Sequence, residues 1–220
     1  MKKTKLTIGV FMGVAAILTA MTWFGAEQAS AYPKPAFVPA PEDWQLDLQL
    51  HGEPESIWVA LPGEAKPKRF WYLLYTITNN TSKDVEYYPA FDLMTDTLKL
   101  YSSGVGVRRP VFEAIRQRYN STLPLLEPEN MVSGKILQGP DNARSSAVIF
   151  ADFDPNAATA EIFIEGLSNE TISVESPAQG AQAKPVLLRK TLMLQYQVIG
   201  DKENPEYRAM LYRDRKWIMR

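Results

Sequence analysis

Three oxygen-bearing side chains stand on alternate residues in Asp152-Phe153-Asp154-Pro155-Asn156, a spacing at which a loop can wrap a hard cation. A helix-loop-helix calcium site needs glycine at its sixth position and glutamate at its twelfth, where this chain has Ala157 and Phe163. Asp152, Asp154 and Asn156 are the metal candidates, and the plainer reading is a proline-centred turn built from ordinary turn residues. His51 is the only histidine and there is no cysteine. The nitrogen and sulfur ligands of a zinc site are therefore missing, and a serine nucleophile has one imidazole at most to serve as its base. Glycoside hydrolysis needs two carboxylates at a fixed separation; Asp47, Glu53, Glu86, Asp92 and Glu165 are available, but chain spacing sets no separation between them. Gly104-Val105-Gly106 has no lysine behind it and no phosphate-binding fingerprint. No catalytic residue and no cofactor is assigned. The aromatic side chains are a further possibility, since tryptophan and tyrosine stack on sugars. Trp44, Trp58 and Trp217 are the ligand-binding candidates, with Trp71, Tyr87 and Tyr88 beside them, although aromatics on strands are more often core.

Composition narrows the class. The chain has 220 residues, 45% hydrophobic and 22% charged, with a formal net charge of -1, ordinary values for a globular protein. Lys2, Lys3 and Lys5 precede a nearly uncharged apolar run, Leu6 to Phe24, and Ala29-Ser30-Ala31 forms a small-x-small site. That is the layout of a cleaved secretory signal over residues 1–31, with Tyr32 as the mature N-terminus. An uncleaved anchor through residues 6–24 is the competing reading, because the run is about as long as a spanning helix. Removing residues 1–31 takes three of the 24 basic residues and one of the 25 acidic ones, which leaves an acidic excess of about three. Such a charge argues against nucleic acid and against an anionic membrane surface as the main partner. The sequons at Asn79, Asn80, Asn120 and Asn169 matter only in a glycosylating host; the short lysine-rich signal reads as bacterial.

The elements that would position any site are short strands. Residues 32–42 are a proline-rich lead-in. Trp44, Leu46, Leu48 and Leu50 alternate with polar residues, the period of a half-buried strand. Ile57–Leu61 reads as a second strand. Arg69 to Thr78 is apolar on both parities, which predicts a strand covered on both faces. Asn79 to Asp84 predicts a hairpin turn, with Val85–Met94 pairing back across it and Leu98–Tyr101 continuing that strand. Pro110 suits a helix start, and Phe112, Ile115 and Tyr119 share one helical face. Strands follow at Met131–Leu137, Ala147–Asp152, Ala160–Glu165, Thr171–Glu175, Val186–Val198 and Arg208–Met219, with a loop at Ser176–Lys184. Arg213, Asp214, Arg215, Lys216 and Arg220 read as a solvated strand face, with a partner site as the alternative. About ten strands with one short inserted helix predict an all-β fold, an antiparallel immunoglobulin-like β-sandwich over residues 43–220.

The run W-Y-L-L-Y-T-I-T-N-N-T-S-K-D (Trp71–Asp84) resembles the strand-and-turn of exported bacterial Ig-like domains. Together with A-V-I-F-A-D-F-D-P-N-A (Ala147–Ala157), I-E-G-L-S-N-E (Ile164–Glu170), L-L-R-K-T-L (Leu187–Leu192) and the closing W-I-M-R (Trp217–Arg220), it is similar to uncharacterised secreted proteins of planctomycete-type bacteria. The resemblance covers most of residues 42–220 and implies a fold and an exported location, with no activity, cofactor or site residue attached. The expectation is a non-enzymatic envelope protein, periplasmic or extracellular, that binds another envelope protein or a glycan. A carbohydrate-binding module or a glycosidase is the alternative.

Overall fold

The computed structural model of the chain describes residues 33–36, 38–175, 185–201 and 203–220. The signal segment expected at 1–31, Tyr32 and the loop expected at 176–184 lie outside the described residues.

The fold is organised around β3 (Lys68–Thr78), as its two-faced apolar pattern predicts. Trp71, Leu73, Tyr75 and Ile77 point one way into the main core, and Phe70, Tyr72 and Leu74 point the other way into a second cluster. β1 (Asp47–Leu50) and β2 (Glu55–Val59) pair antiparallel with successive halves of one edge of β3. β9 (Arg144–Ala151) pairs with the other edge, Tyr75 opposite Ser146 and Trp71 opposite Phe150. β7 (Leu126–Pro128) completes this five-stranded sheet. Among the described residues the second sheet has six strands. β5 (Ala90–Thr95) lies between β6 (Leu100–Ser102) and β10 (Thr159–Glu165). β12 (Val186–Ile199) then pairs with β10 and β11 (Thr171–Val174) on one side and with β13 (Ala209–Met219) on the other. Both sheets contribute to one apolar core: Leu73 and Val148 from the first, Leu93, Ile162 and Leu194 from the second. The chain is all-β and sandwich-like.

The far face of the first sheet is closed by α1 (Arg109–Arg118), which starts where Pro110 fits a first turn and buries Val111, Phe112 and Ile115. Its C-terminal end is fixed by Tyr119, whose hydroxyl donates to Glu55 at 2.7 Å and lies 3.2 Å from the Tyr72 hydroxyl.

Several expectations are corrected. Asn79–Asp84 is a crossover and not a hairpin turn. Asn79 is fully buried, and its amide nitrogen donates to the carbonyls of Lys83 (2.9 Å) and Ile136 (3.0 Å). That pulls the chain out of the first sheet, so β4 (Val85–Tyr87) pairs with β8 (Gly134–Ile136) and β5 enters the second sheet. Leu98 sits in a tight turn at φ 59°, and β6 therefore doubles back on β5. Residues 131–137 are not a single strand: α2 (Glu129–Val132) occupies its start, a second helix where one was expected. The pairing is also not wholly antiparallel, since β7 runs parallel to β9.

Candidate functional site

A cleft of about 710 Å³ opens between the two helices. One wall is α1, which presents Arg109, Phe112, Glu113 and Arg116; the opposite wall is α2, with Glu129 and Met131; Ala147 and Ile149 of β9 form the floor. Local structure places each wall. Parallel pairing of Glu127 and Pro128 with Ser146 and Ala147, reinforced by an Arg144–Glu127 ion pair at 2.6 Å, delivers the chain to the start of α2. Pro128 is extended there, so the helix starts on Glu129. On the other side, the backbone amide of Gly104 donates to the Ile149 carbonyl at 2.9 Å and brings the β6–α1 loop onto the floor strand.

Glu129 is the chemically distinctive group. Its two carboxylate oxygens each accept from the Ser103 hydroxyl at 3.1 Å. Burial raises its pKa above the ordinary value of 4.5, and the Ser103 hydrogen bond only partly offsets this. Behind it lie the phenols of Tyr75 and Tyr87, both wholly buried, which burial and the Glu129 charge push above their usual range. On the opposite wall Glu113 holds two guanidiniums, Arg109 Nε at 3.4 Å and Arg116 through a close contact. Arg116 also lies over the Phe112 ring, 6.0 Å from its centroid. Arg108 donates to the Pro62 carbonyl at 2.9 Å at the edge of the cleft. An apolar floor with a carboxyl on one wall and an arginine-rich rim on the other suits a ligand with both apolar and ionic groups.

Asp152, Asp154 and Asn156, the metal candidates, are placed differently. Asp152 accepts from Arg69 Nη2 at 2.8 Å, from Arg69 Nε at 3.0 Å and from the Trp71 indole at 3.0 Å. Asp154 pairs with Lys99 at 2.7 Å and accepts from Thr97 at 3.0 Å and from the Asn156 amide at 2.9 Å. The Lys99 contact and then the Asn156 amide hold its carboxyl well below the usual range. Both carboxylates thus face protein cations. Among the described residues, no group of three or more histidine, cysteine or acidic side chains is placed to hold a metal ion.

The tryptophan candidates have separate packing roles. Trp58 is 45% exposed, and the Arg69 guanidinium lies 5.7 Å from its ring centroid and 5.3 Å from that of Trp71. Trp44 is half-buried, its backbone amide donating to Asn169 at 2.6 Å. Trp217 is half-buried against the Lys190 ammonium, 5.4 Å from its ring centroid. His51 holds the Thr76 hydroxyl at 2.7 Å.

None of the metal, tryptophan, carboxylate or histidine candidates lines the cleft; of the residues weighed in the sequence, Gly104 and Phe112 do, as a loop glycine and a helix-face aromatic. Arg109, Glu113 and Arg116 share the i, i+4, i+7 spacing of one helix face, a legible signal that reads first as a solvated stripe. Glu129 has no such signal, because its position depends on the parallel pairing of β7. Among the described residues no helix is long and apolar enough to cross a membrane. Comparison of the chain with protein families, with curated proteins and with solved structures finds no match in any of the three.

Proposed function

We propose that this chain is an exported, non-enzymatic binding protein of a bacterial envelope, built on an immunoglobulin-like β-sandwich, and that it holds a segment of another envelope protein in the α1/α2 cleft. The observation that carries this reading is the cleft itself, with Met131 56% exposed on its wall and Glu129 drawn down beside it. An exposed methionine beside an apolar floor adapts to irregular side chains. Binding is favoured over catalysis because both carboxylates of the cleft are engaged, Glu129 by Ser103 and Glu113 by two arginines. The immunoglobulin-like description draws support from two mainly antiparallel sheets around one core. Export rests on the lysine-led apolar N-terminus and its A-S-A site.

A photo-crosslinker placed at Met131 tests the cleft. It is expected to give one discrete adduct in living cells, whereas the same group at Leu187, equally exposed at 56%, gives none. Indistinguishable adduct patterns from the two positions would defeat the reading. N-terminal sequencing of protein recovered outside the cytoplasm is expected to begin at Tyr32; recovery only from the cytoplasm would defeat export. Trp58 supports a second reading as a carbohydrate-binding module, since its ring is half-exposed and stiffened by Arg69. A glycan array on which Trp58→Ala binds as wild type would dispose of it.

A further inference from the structure

The α1 wall of the cleft carries a built arrangement of charge. Glu113 divides its two carboxylate oxygens between arginines on either side of it along the helix: Oε1 takes Arg109 and Oε2 takes Arg116. Arg109 is otherwise open to solvent, its side chain 89% exposed, and Arg116 is about half exposed. Two guanidiniums sharing one carboxylate leave donors over, since each presents five N–H groups in a fixed fork. Beside them on the same wall is Phe112, the floor of Ala147 and Ile149 is apolar, and Met131 stands opposite.

We propose that the cleft takes an extended acidic polypeptide segment, its carboxylates received by Arg109 and Arg116 and an apolar side chain lodged between Phe112 and Met131. Glu113 occupies the arginine pair within the free protein and competes with the incoming carboxylate. The inference rests on the α1/α2 cleft being the binding site and adds the chemistry of what enters it. Two features select a polypeptide over an anionic polymer. A phosphate chain gains from the arginines alone and leaves the apolar floor without a partner. An acidic peptide alternating with apolar side chains uses both. The Glu113 competition also gives the site a signature that a merely solvated helix face lacks: removing Glu113 strengthens binding, although it removes charge pairs from the protein.

Fluorescence anisotropy on the purified protein, with three short labelled peptides, tests this. One alternates aspartate with leucine, one lysine with leucine, and one aspartate with serine. The aspartate–leucine peptide is expected to bind about tenfold or more tightly than either control. Glu113→Gln is expected to tighten it several-fold, and the double variant Arg109→Ser/Arg116→Ser to weaken it by about tenfold, each with unchanged circular dichroism. Equal binding of the acidic and basic peptides overturns the proposal, as does a Glu113→Gln variant that binds no better than wild type. Inorganic polyphosphate competing at the arginines without any requirement for leucine also overturns it, in favour of an anionic polymer. Loss of the Met131 adduct in cells means that the cleft reading itself has failed. A persisting adduct with no preference among the peptides means that the cleft binds and the acidic recognition is wrong.

Discussion

A lysine ammonium carried into a protein interior needs its counter-charge within reach, and Lys190 has one. Its Nζ lies 2.8 Å from Glu170 Oε2 and donates to the Ala36 carbonyl at 3.1 Å, while Glu170 Oε1 accepts the Ala36 amide at 2.7 Å. The pair therefore ties the proline-rich lead-in to β12. Burial raises the Glu170 pKa, and the Ala36 amide and the Lys190 ammonium outweigh that, so it sits below its ordinary value of 4.5. Breaking such a pair on one side strands a buried charge, which costs about 3–5 kcal/mol. Lys190→Met is therefore expected to lower unfolding free energy by about that amount in urea titrations, and the double variant Lys190→Met/Glu170→Gln to recover part of it. A double variant no better than the single would show that the charge pair is not the cause. Half of this arrangement is legible in sequence. The alternation that turns Leu188, Leu192 and Leu194 inward turns Lys190 inward as well. Its partner is not legible, because Glu170 reaches it only through the pairing of β11 with β12 and the hydrogen bond from the Lys190 amide to the Glu170 carbonyl.

Helix α1 and the crossover after β3 show how far patterns reach at the scale of elements. β3 and α1 are readable because each is long enough for its period to show: both parities apolar in one, Phe112 and Ile115 three apart in the other. The hairpin reading of Asn79–Asp84 fails for a different reason. Turn-forming residues say that a strand ends there, but the direction taken afterwards depends on Ile136, nearly 60 residues later, accepting the Asn79 amide. The four residues of α2 are too few to show any period. Ile115 is wholly buried where α1 covers the first sheet. Ile115→Ala is expected to cost about 2–5 kcal/mol. If α1 is a separable cover, hydrogen exchange in residues 109–118 rises more than in β12; a uniform rise would show that the helix opens only with the whole domain. The link from β10 to β11 has a stricter demand. Gly166 has φ +85°, and a Cβ there would lie 2.6 Å from the Tyr88 carbonyl oxygen. Gly166→Ala is expected to cost at least about 1–3 kcal/mol from the backbone conformation alone. A thermal midpoint equal to wild type would mean that the approach to Tyr88 is looser than described.

For the molecule as a whole, three carboxyl groups pull stability in opposite directions as pH changes. Asp154 and Glu170 have lowered pKa values in the folded state, from ordinary values of 3.8 and 4.5. Their contributions are complete above those ordinary values and are lost as pH falls through the folded ones. Glu129 has a raised value. Folding then favours its protonated form, so its contribution is complete below 4.5 and is lost as pH rises through the folded value. The thermal midpoint should therefore climb out of strong acid, flatten near the ordinary carboxylate range and decline as Glu129 ionises. Glu129→Gln removes that last change while keeping an acceptor for Ser103. Its midpoint is expected to match wild type in acid and to exceed it at neutral pH, because the buried charge is gone. The binding proposed for the cleft carries the same ionisation into a second measurement. Ionised Glu129 faces the site proposed to receive acidic side chains, so the wild-type protein should bind an aspartate–leucine peptide better as pH falls towards 4.5 and Glu129 takes up its proton. In Glu129→Gln the affinity should be higher at neutral pH and vary less over the same range. Parallel pH profiles for the two proteins would place the titrating group elsewhere and detach Glu129 from the proposed binding.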